Sequence, residues 1–314
     1  MKVEITINLE ARMSKLLFIF ITATLILMPV ARGNTDERVW TFKSGEKLRA
    51  AQLSFETESG EIVMLINNNE KRTIQFNDLS PIDQAWLVEW SQVEQEMDAF
   101  IGALGGTFEH RVAKGDEFET DYFIYTPASI STNANRPLLI LFNAGGRAAR
   151  YIKKFADAAE LHGITVICSP QFLNSTDDEI NDVMSRRFLE MLPIIEAKVP
   201  HDPKRLFMGG NSGGAMRAYG YTAEIDRPWA GIYANAGWLG GYDYYDLPYP
   251  GGMRIAMING NNDHANRWLE RDGKLLMSKG NEVAVFSFEG GHQPAPPKSR
   301  SKALEWLINE NGQY

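Results

Sequence analysis

Apolar positions follow two rhythms along this chain. Between residues 38 and 92 they come in short, partly alternating runs: "KLRAAQLSF", "EIVMLIN" and, after the turn tract Asn67-Asn68-Asn69, "RTIQF". Alternation broken by turn residues predicts the strands of a small β-rich unit. In "LSPIDQAWLVEW", Ser80 is placed to cap a helix, Pro81 takes its first position and Asp83 stands where a capping carboxylate belongs. That helix should continue through "SQVEQEMDAFIGAL" until Gly105-Gly106 stops it.

From about residue 119 the rhythm changes to strands that are apolar throughout, separated by helical stretches. The strand-like runs are "YFIYT" (122–126), "LLILF" (138–142), "ITVIC" (164–168), "RLFMG" (205–209), "AGIYA" (230–234), "RIAMI" (254–258) and "VAVFSF" (283–288). The clearest helix lies in "EINDVMSRRFLEMLPIIEAK", with Ile180, Val183, Met184, Phe188, Met191 and Ile195 on one stripe; its methionines read as core. Strands that are apolar on both faces imply a mostly parallel sheet covered on both sides by helices, an α/β architecture. The organisation expected is a leader over 1–33, a small β domain over 38–92, a helix and linker over 93–118, and an α/β domain over 119–314. On this reading a chain starting near Phe108 or Phe118 folds alone.

The leader is read from "LLFIFITATLILMPV", residues 16–30, which carries no charge and follows Arg12 and Lys15. Fifteen residues fall short of the ~20 that span a bilayer, and Ala31-Arg32-Gly33 puts small residues where a signal peptidase reads. A cleaved secretory signal is therefore expected, with an uncleaved anchor as the alternative and Met13 as an alternative start. The expected location is outside the cell or in a bacterial envelope, with no stable membrane span after cleavage. Among 314 residues the net charge is −8, which argues against a nucleic-acid partner. The sole cysteine, Cys168, allows no internal disulfide and no cysteine metal cluster, and in "ITVICSP" it reads as a buried thiol.

In α/β sheets, function collects where strands end at their carboxyl edges. After "RLFMG" comes Gly210-Asn211-Ser212-Gly213-Gly214, a Gly-x-Ser-x-Gly pattern between a strand and a helix. Such an elbow needs small flanking residues because strand and helix approach closely around a strained serine. After "RIAMI" comes Asp263, and after "VAVFSF" comes His292 between Gly290-Gly291 and a C-terminal helical segment. The order Ser212, Asp263, His292 suits a nucleophile, the acid that orients its base, and the base. Asp243 and Asp246 are the alternative acids, and His264 is a weaker alternative base. Oxyanion donors are expected from the backbone N–H of Gly213 and from the loop after "LLILF", where Gly145 is the first choice and Ala144 the second.

Two resemblances follow from these segments. Residues 119–312 resemble an α/β-hydrolase of the esterase/polyhydroxybutyrate-depolymerase kind, related to feruloyl and acetyl esterases, on "DPKRLFMGGNSGGAM", "GGHQP" and the "NDV" at 181–183. This implies hydrolysis of carboxylic esters without metal or organic cofactor, the substrate being a small or polymeric ester. These families carry His-Gly in the oxyanion loop where this chain has Asn143-Ala144. The N-terminal unit resembles the Sla-type homology domain, a small SH3-like barrel, on "RVWTFKSGEKLRA", "IVMLINNNEKRTIQF" and "DLSPIDQAWL". That resemblance implies a peptide or polymer ligand for the module; the alternative is a spacer.

For substrate choice, "GWLGGYDYYDLPYPGG" concentrates Trp238, Tyr242, Tyr244, Tyr245 and Tyr249, either as rings for a sugar or aromatic acyl group or as a self-packed loop. An exported serine carboxylesterase acting on esterified polysaccharide is the leading expectation. The alternatives are a serine peptidase of the prolyl-oligopeptidase type and a catalytically poor scaffold that binds a partner.

Overall fold

A computed structural model describes residues 31–309 apart from 33–37, 68–69, 82, 85–86, 89–90, 92–99, 102, 129–135 and 242–243. Ala31–Arg32 (β1), Arg38–Thr41 (β2), Lys47–Phe55 (β3), Glu61–Ile66 (β4) and Glu70–Gln75 (β5) form one antiparallel sheet. Trp40, Phe55, Ile62, Met64 and Leu79 fill its own small core. At the helix start Ser80 and Asp83 bond one another, and the Asp83 carboxylate also accepts Arg38 and the Thr41 N–H. The capping carboxylate thus ties the helix to β2. Residues 1–30 of the expected leader lie outside the described residues, and among those described no helix is long and apolar enough to cross a membrane.

The larger sheet has eight strands, in the order β13-β12-β11-β10-β8-β9-β7-β6. They are Thr107–Lys114 (β6), Glu119–Thr126 (β7), Leu138–Asn143 (β8), Thr165–Cys168 (β9), Leu206–Asn211 (β10), Trp229–Asn235 (β11), Arg254–Gly260 (β12) and Glu282–Phe288 (β13). From β8 and β9 across to β13 the pairs are parallel; β6–β7 and β7–β9 are antiparallel. Helices Ala148–His162 (α1), Asp178–Lys198 (α2), Gly213–Glu224 (α3), Asn266–Ser278 (α4) and Pro297–Ile308 (α5) complete the fold. Two apolar clusters lie on opposite faces of the sheet. One holds Met184, Phe188, Met191 and Ile195 of α2, and the other holds Phe155 of α1 and Leu304 of α5. The doubly covered sheet expected from the apolar runs is present.

Two expectations change. The segment 93–118 is not only helix and linker, since β6 pairs along its whole length with β7, and Ile101 and Phe108 are buried in the second cluster. Its strand was hidden because "TFEHRVAK" carries four charged or histidine positions on an edge strand, where one side meets solvent. On α2, Ile180 is exposed at 42%, because the buried stripe begins one turn later at Met184. Asp177 caps the helix before it, accepting from the N–H groups of Glu179 and Ile180.

Candidate active site

The strand β10 is central, and its end delivers Ser212 into a conformation side chains rarely adopt, φ 57° and ψ −123°. The surrounding glycines are required by contact. A β-carbon at Gly210 or Gly214 would come within 2.5 or 2.1 Å of the Phe142 carbonyl on β8. Strand, turn and helix approach too closely there for any side chain. The Ser212 N–H donates to the Asn235 carbonyl at 2.8 Å, which fixes the turn against β11.

Asp263 and His292 arrive from the next two strand ends. Their loops are laced together: the N–H groups of Asn261 and Asn262 donate to the carbonyls of Phe288 and Gly290. Ser212 Oγ lies 2.9 Å from His292 Nε2, and His292 Nδ1 lies 2.9 Å from Asp263 Oδ1. A carboxylate only accepts, so Nδ1 carries a proton and Nε2 is left to accept from the serine hydroxyl. Asp263 is buried, and its Oδ1 also accepts the Ala265 N–H at 2.8 Å. Of the alternative acids, Asp246 is exposed and Asp243 lies outside the described residues.

His264, the weaker alternative base, is not bonded to Ser212, whose partner is His292. Its ring instead packs on the His292 ring, with centroids 4.4 Å apart, and meets the rings of Trp238 and Trp268, while its Nδ1 lies 3.5 Å from Asp263 Oδ1. Ligand atoms of Asp263, His264 and His292 lie within 4.8 Å of one another, a spacing a divalent ion can use; Asp263 and His292 are also hydrogen-bonded to each other. The remaining histidines have structural partners: His110 with Asp121, His162 with Ser301, His201 with the Val199 carbonyl.

Gly145, the first choice of oxyanion donor, has its N–H engaged within the loop. Its N–H donates to the side chain of Asn143 at 2.9 Å, in a turn that the asparagine makes with its own backbone. Among the described residues no acceptor is bonded to the N–H of Ala144 or of Gly213. Asn143 is in register with Asn211, so Ala144 begins the loop beside Ser212.

Two clefts flank this point. One of about 780 Å³ is lined by Ser212, Gly213, Met216, Trp238 and Tyr244; the other, of about 750 Å³, is lined by Asn143, Ala144, Gly145 and Asn211 among others. Of the aromatic candidates, Trp238 and Tyr244 line the first cleft, and Trp238 stacks on Trp268 at 4.7 Å. Tyr245 instead lies under Arg271, Tyr249 is buried with its hydroxyl on the Tyr244 carbonyl, and Tyr242 lies outside the described residues. Part of that loop therefore packs on itself.

Sequence reading missed Asn174, Asn235 and Trp268. Asn174 lines both clefts, its N–H donates to the Ala144 carbonyl, and its side chain occupies the space a β-carbon on Gly213 would take. Asn235 is 1% exposed; its side chain donates to the Ile258 carbonyl and accepts the Ala295 N–H. Neither sits in a recognisable motif, because each acts through neighbours distant in sequence.

No family model and no curated protein matches the chain. Solved structures do. An S-formylglutathione hydrolase from Agrobacterium tumefaciens aligns at 13% identity and TM-score 0.51, over 66% of this chain and 97% of its own. The esterase Est2 of Thermogutta terrifontis, butyrate bound, aligns at 15% identity and TM-score 0.50, over 64% and 93%. The same esterase phosphonylated by sarin aligns at 14% identity and TM-score 0.51, over 63% and 91%. At such identities the likeness concerns architecture, and together with the eight-stranded, mostly parallel sheet it identifies the larger body as an α/β-hydrolase fold.

Proposed function

We propose that the protein is a serine hydrolase that cleaves carboxylic esters through an acyl-enzyme on Ser212. The observation that carries this is the continuous chain Ser212–His292–Asp263 at 2.9 Å per step, with the serine held in a strained turn. His292 takes the serine proton as Oγ attacks the ester carbonyl, and Asp263 stabilises the imidazolium that results. The tetrahedral oxyanion forms against the N–H groups of Gly213 and Ala144. His292 returns the proton to the departing alcohol, leaving the acyl group on Ser212. Water, deprotonated by His292 in the same way, then releases the acid and restores the serine.

The finer reading is an exported enzyme acting on esterified polysaccharide, with Trp238, Tyr244 and Trp268 as the rings for a sugar or aromatic group. The N-terminal unit, read as SH3-like, would hold polymer or peptide and raise the local substrate concentration. Support for export is the leader sequence, and support for a sugar is the pair of half-buried rings, Trp238 and Tyr244, that line the first cleft. The likeness to an esterase that sarin phosphonylates motivates the test. A fluorophosphonate probe should label the purified protein at Ser212, and a panel of p-nitrophenyl esters, acetylated xylan, feruloyl esters and prolyl peptides should show turnover on esters. Labelling elsewhere, or turnover confined to prolyl peptides, would overturn the reading.

A further inference from the structure

Three donor atoms converge beside the nucleophile in an arrangement that hydrolysis alone does not use. Asp263 Oδ1 lies 2.9 Å from His292 Nδ1 and 3.5 Å from His264 Nδ1, and ligand atoms of all three residues fall within 4.8 Å of one another. A zinc-class ion holds nitrogen and oxygen at about 2.1 Å, and tetrahedral geometry at that length sets donors about 3.4 Å apart. Both measured edges are close to that spacing, so small shifts of the two rings admit an ion. The side chains of His264 and His292 are 47% and 31% exposed, whereas that of Asp263 is buried. The carboxylate stands at the back of the cluster and the imidazoles at its solvent side.

Two further observations point to a cation. Among the described residues no lysine or arginine forms an ion pair with Asp263, and its Oδ2, buried, has no hydrogen-bond partner among them. A buried carboxylate with one oxygen unpaired carries a charge that a neutral imidazole does not cancel. The donors are also held in place from outside. The Ala265 N–H fixes Oδ1 at 2.8 Å, and the Asn262 N–H ties the loop of the acid to the Gly290 carbonyl. Trp238 and Trp268 pack edge-on against the His264 ring. Outer contacts of this kind orient metal ligands.

We infer that Asp263, His264 and His292 bind a divalent transition ion of the zinc class, and that the bound ion switches the hydrolase off. Two imidazole nitrogens with one carboxylate suit zinc, copper or nickel; magnesium and calcium take oxygen ligands. The ion occupies His292 Nδ1 in place of the proton there. That proton passes by way of solvent to Nε2, the other basic position of the ring. Nε2 then donates toward Ser212 Oγ, 2.9 Å away, and can no longer receive the serine proton. The block needs no contact with substrate, so it falls on kcat. The switching-off rests on the reading of Ser212 as nucleophile and His292 as its base; the binding of the ion does not.

The test uses the full chain without a histidine tag and zinc chloride alone as the probe. Calorimetric titration should show one-to-one zinc binding in the wild type and in Ser212→Ala, which keeps all three ligands. His264→Phe and His264→Gln, at an exposed position, should each weaken that binding at least about tenfold, the scale on which even an outer partner matters. Zinc should slow both ester turnover and fluorophosphonate labelling of Ser212, lowering kcat with little change in KM, and EDTA should restore them. It should act at a concentration about a hundredfold or more below any effect of magnesium. In the His264 variants, each compared with its own zinc-free rate, the same inhibition should need at least about tenfold more ion. Absence of a zinc heat in the wild type, or an affinity that both His264 variants leave unchanged, overturns the site. Binding that leaves labelling and turnover untouched overturns the switch. A zinc heat weakened by both variants supports the site even where no ester is cleaved, because calorimetry reads the ion and not the reaction.

Discussion

Asn235 holds Ser212 from behind. Its carbonyl accepts the serine N–H at 2.8 Å, while its side-chain amide spans the Ile258 carbonyl on β12 and the Ala295 N–H just past His292. One buried residue at the end of β11 therefore ties the nucleophile turn, the strand leading to the acid, and the loop of the base. Asn235→Ala leaves the Ala295 N–H without its acceptor, at about 1–3 kcal/mol, while the Ile258 carbonyl keeps the Ala236 N–H. Differential scanning calorimetry should show a lower Tm, and kinetics should show kcat falling further than KM rises. A variant with wild-type Tm and kcat would remove Asn235 from any positioning role.

The catalytic assignments make a second prediction. Ser212→Ala should abolish both ester turnover and fluorophosphonate labelling with the fold intact, since only a hydroxyl is lost. Asp263→Asn should lower kcat by roughly 10⁴, because the amide favours the wrong imidazole tautomer. An Asp246→Asn variant should stay close to wild type, its carboxylate being exposed. If Asp246→Asn were crippled and Asp263→Asn active, the acid would have to be moved to the earlier loop.

His264 separates positioning from chemistry. Its ring lies 4.4 Å from the ring of His292 and edge-on to Trp238, which limits how far the base can swing. Removing that support should cost about 0.5–1.5 kcal/mol, a two- to tenfold loss of kcat. His264→Phe should restore most of what His264→Ala loses, because the contacts with His292 and Trp238 are between rings. Were His264 itself the base, the phenylalanine variant would be as inactive as His292→Ala.

Much of this was legible in the residues, and the reasons differ by element. The strands β7–β12 were visible because a sheet buried on both faces leaves uninterrupted apolar runs, and β13, half-exposed at the sheet edge, was visible through the apolar run "VAVFSF". Ser212, Asp263 and His292 were visible because each follows such a run, and a glycine pattern set by contact with Phe142 marks the first. The strand β6 was not visible, since an edge strand half in solvent alternates charges with apolar residues much as a loop does. The bond at Gly145 was hidden for a similar reason. Whether Asn143 bends its side chain back onto the Gly145 N–H or leaves it open depends on loop geometry, which composition does not encode. Asn235 acts through partners at least 23 residues away, and His264 meets the base His292 from 28 residues away, beyond the range of any local pattern.

The last prediction concerns where the hydrolase body begins and what binds it to the small unit. Lys71, on β5, reaches Asp121 on β7 with Nζ 2.7 Å from Oδ2, and His110 on β6 holds Oδ1 at 2.8 Å. Burial pushes the Asp121 pKa up, but the bonds from His110 and Lys71 outweigh it and the carboxyl ends below its ordinary value. A depressed carboxylate contributes stability that is present above the unfolded pKa, about 3.9, and lost as pH falls through the lower folded value. Lys71→Met should therefore lower stability at pH 7 by about 1–3 kcal/mol, less than for a fully buried pair because Lys71 stays partly exposed. The gap from wild type should close as the pH is brought below about 4. Truncation tests the boundary itself. A chain starting at Phe118 lacks β6, His110 and the buried Ile101 and Phe108, so it should be insoluble or unfolded by circular dichroism. One starting at Phe100 keeps all of them and should fold, with a Tm lowered mainly by the loss of Lys71. A folded, active chain from Phe118 would show that β6 is an accessory, and the boundary would return to where the apolar rhythm changes.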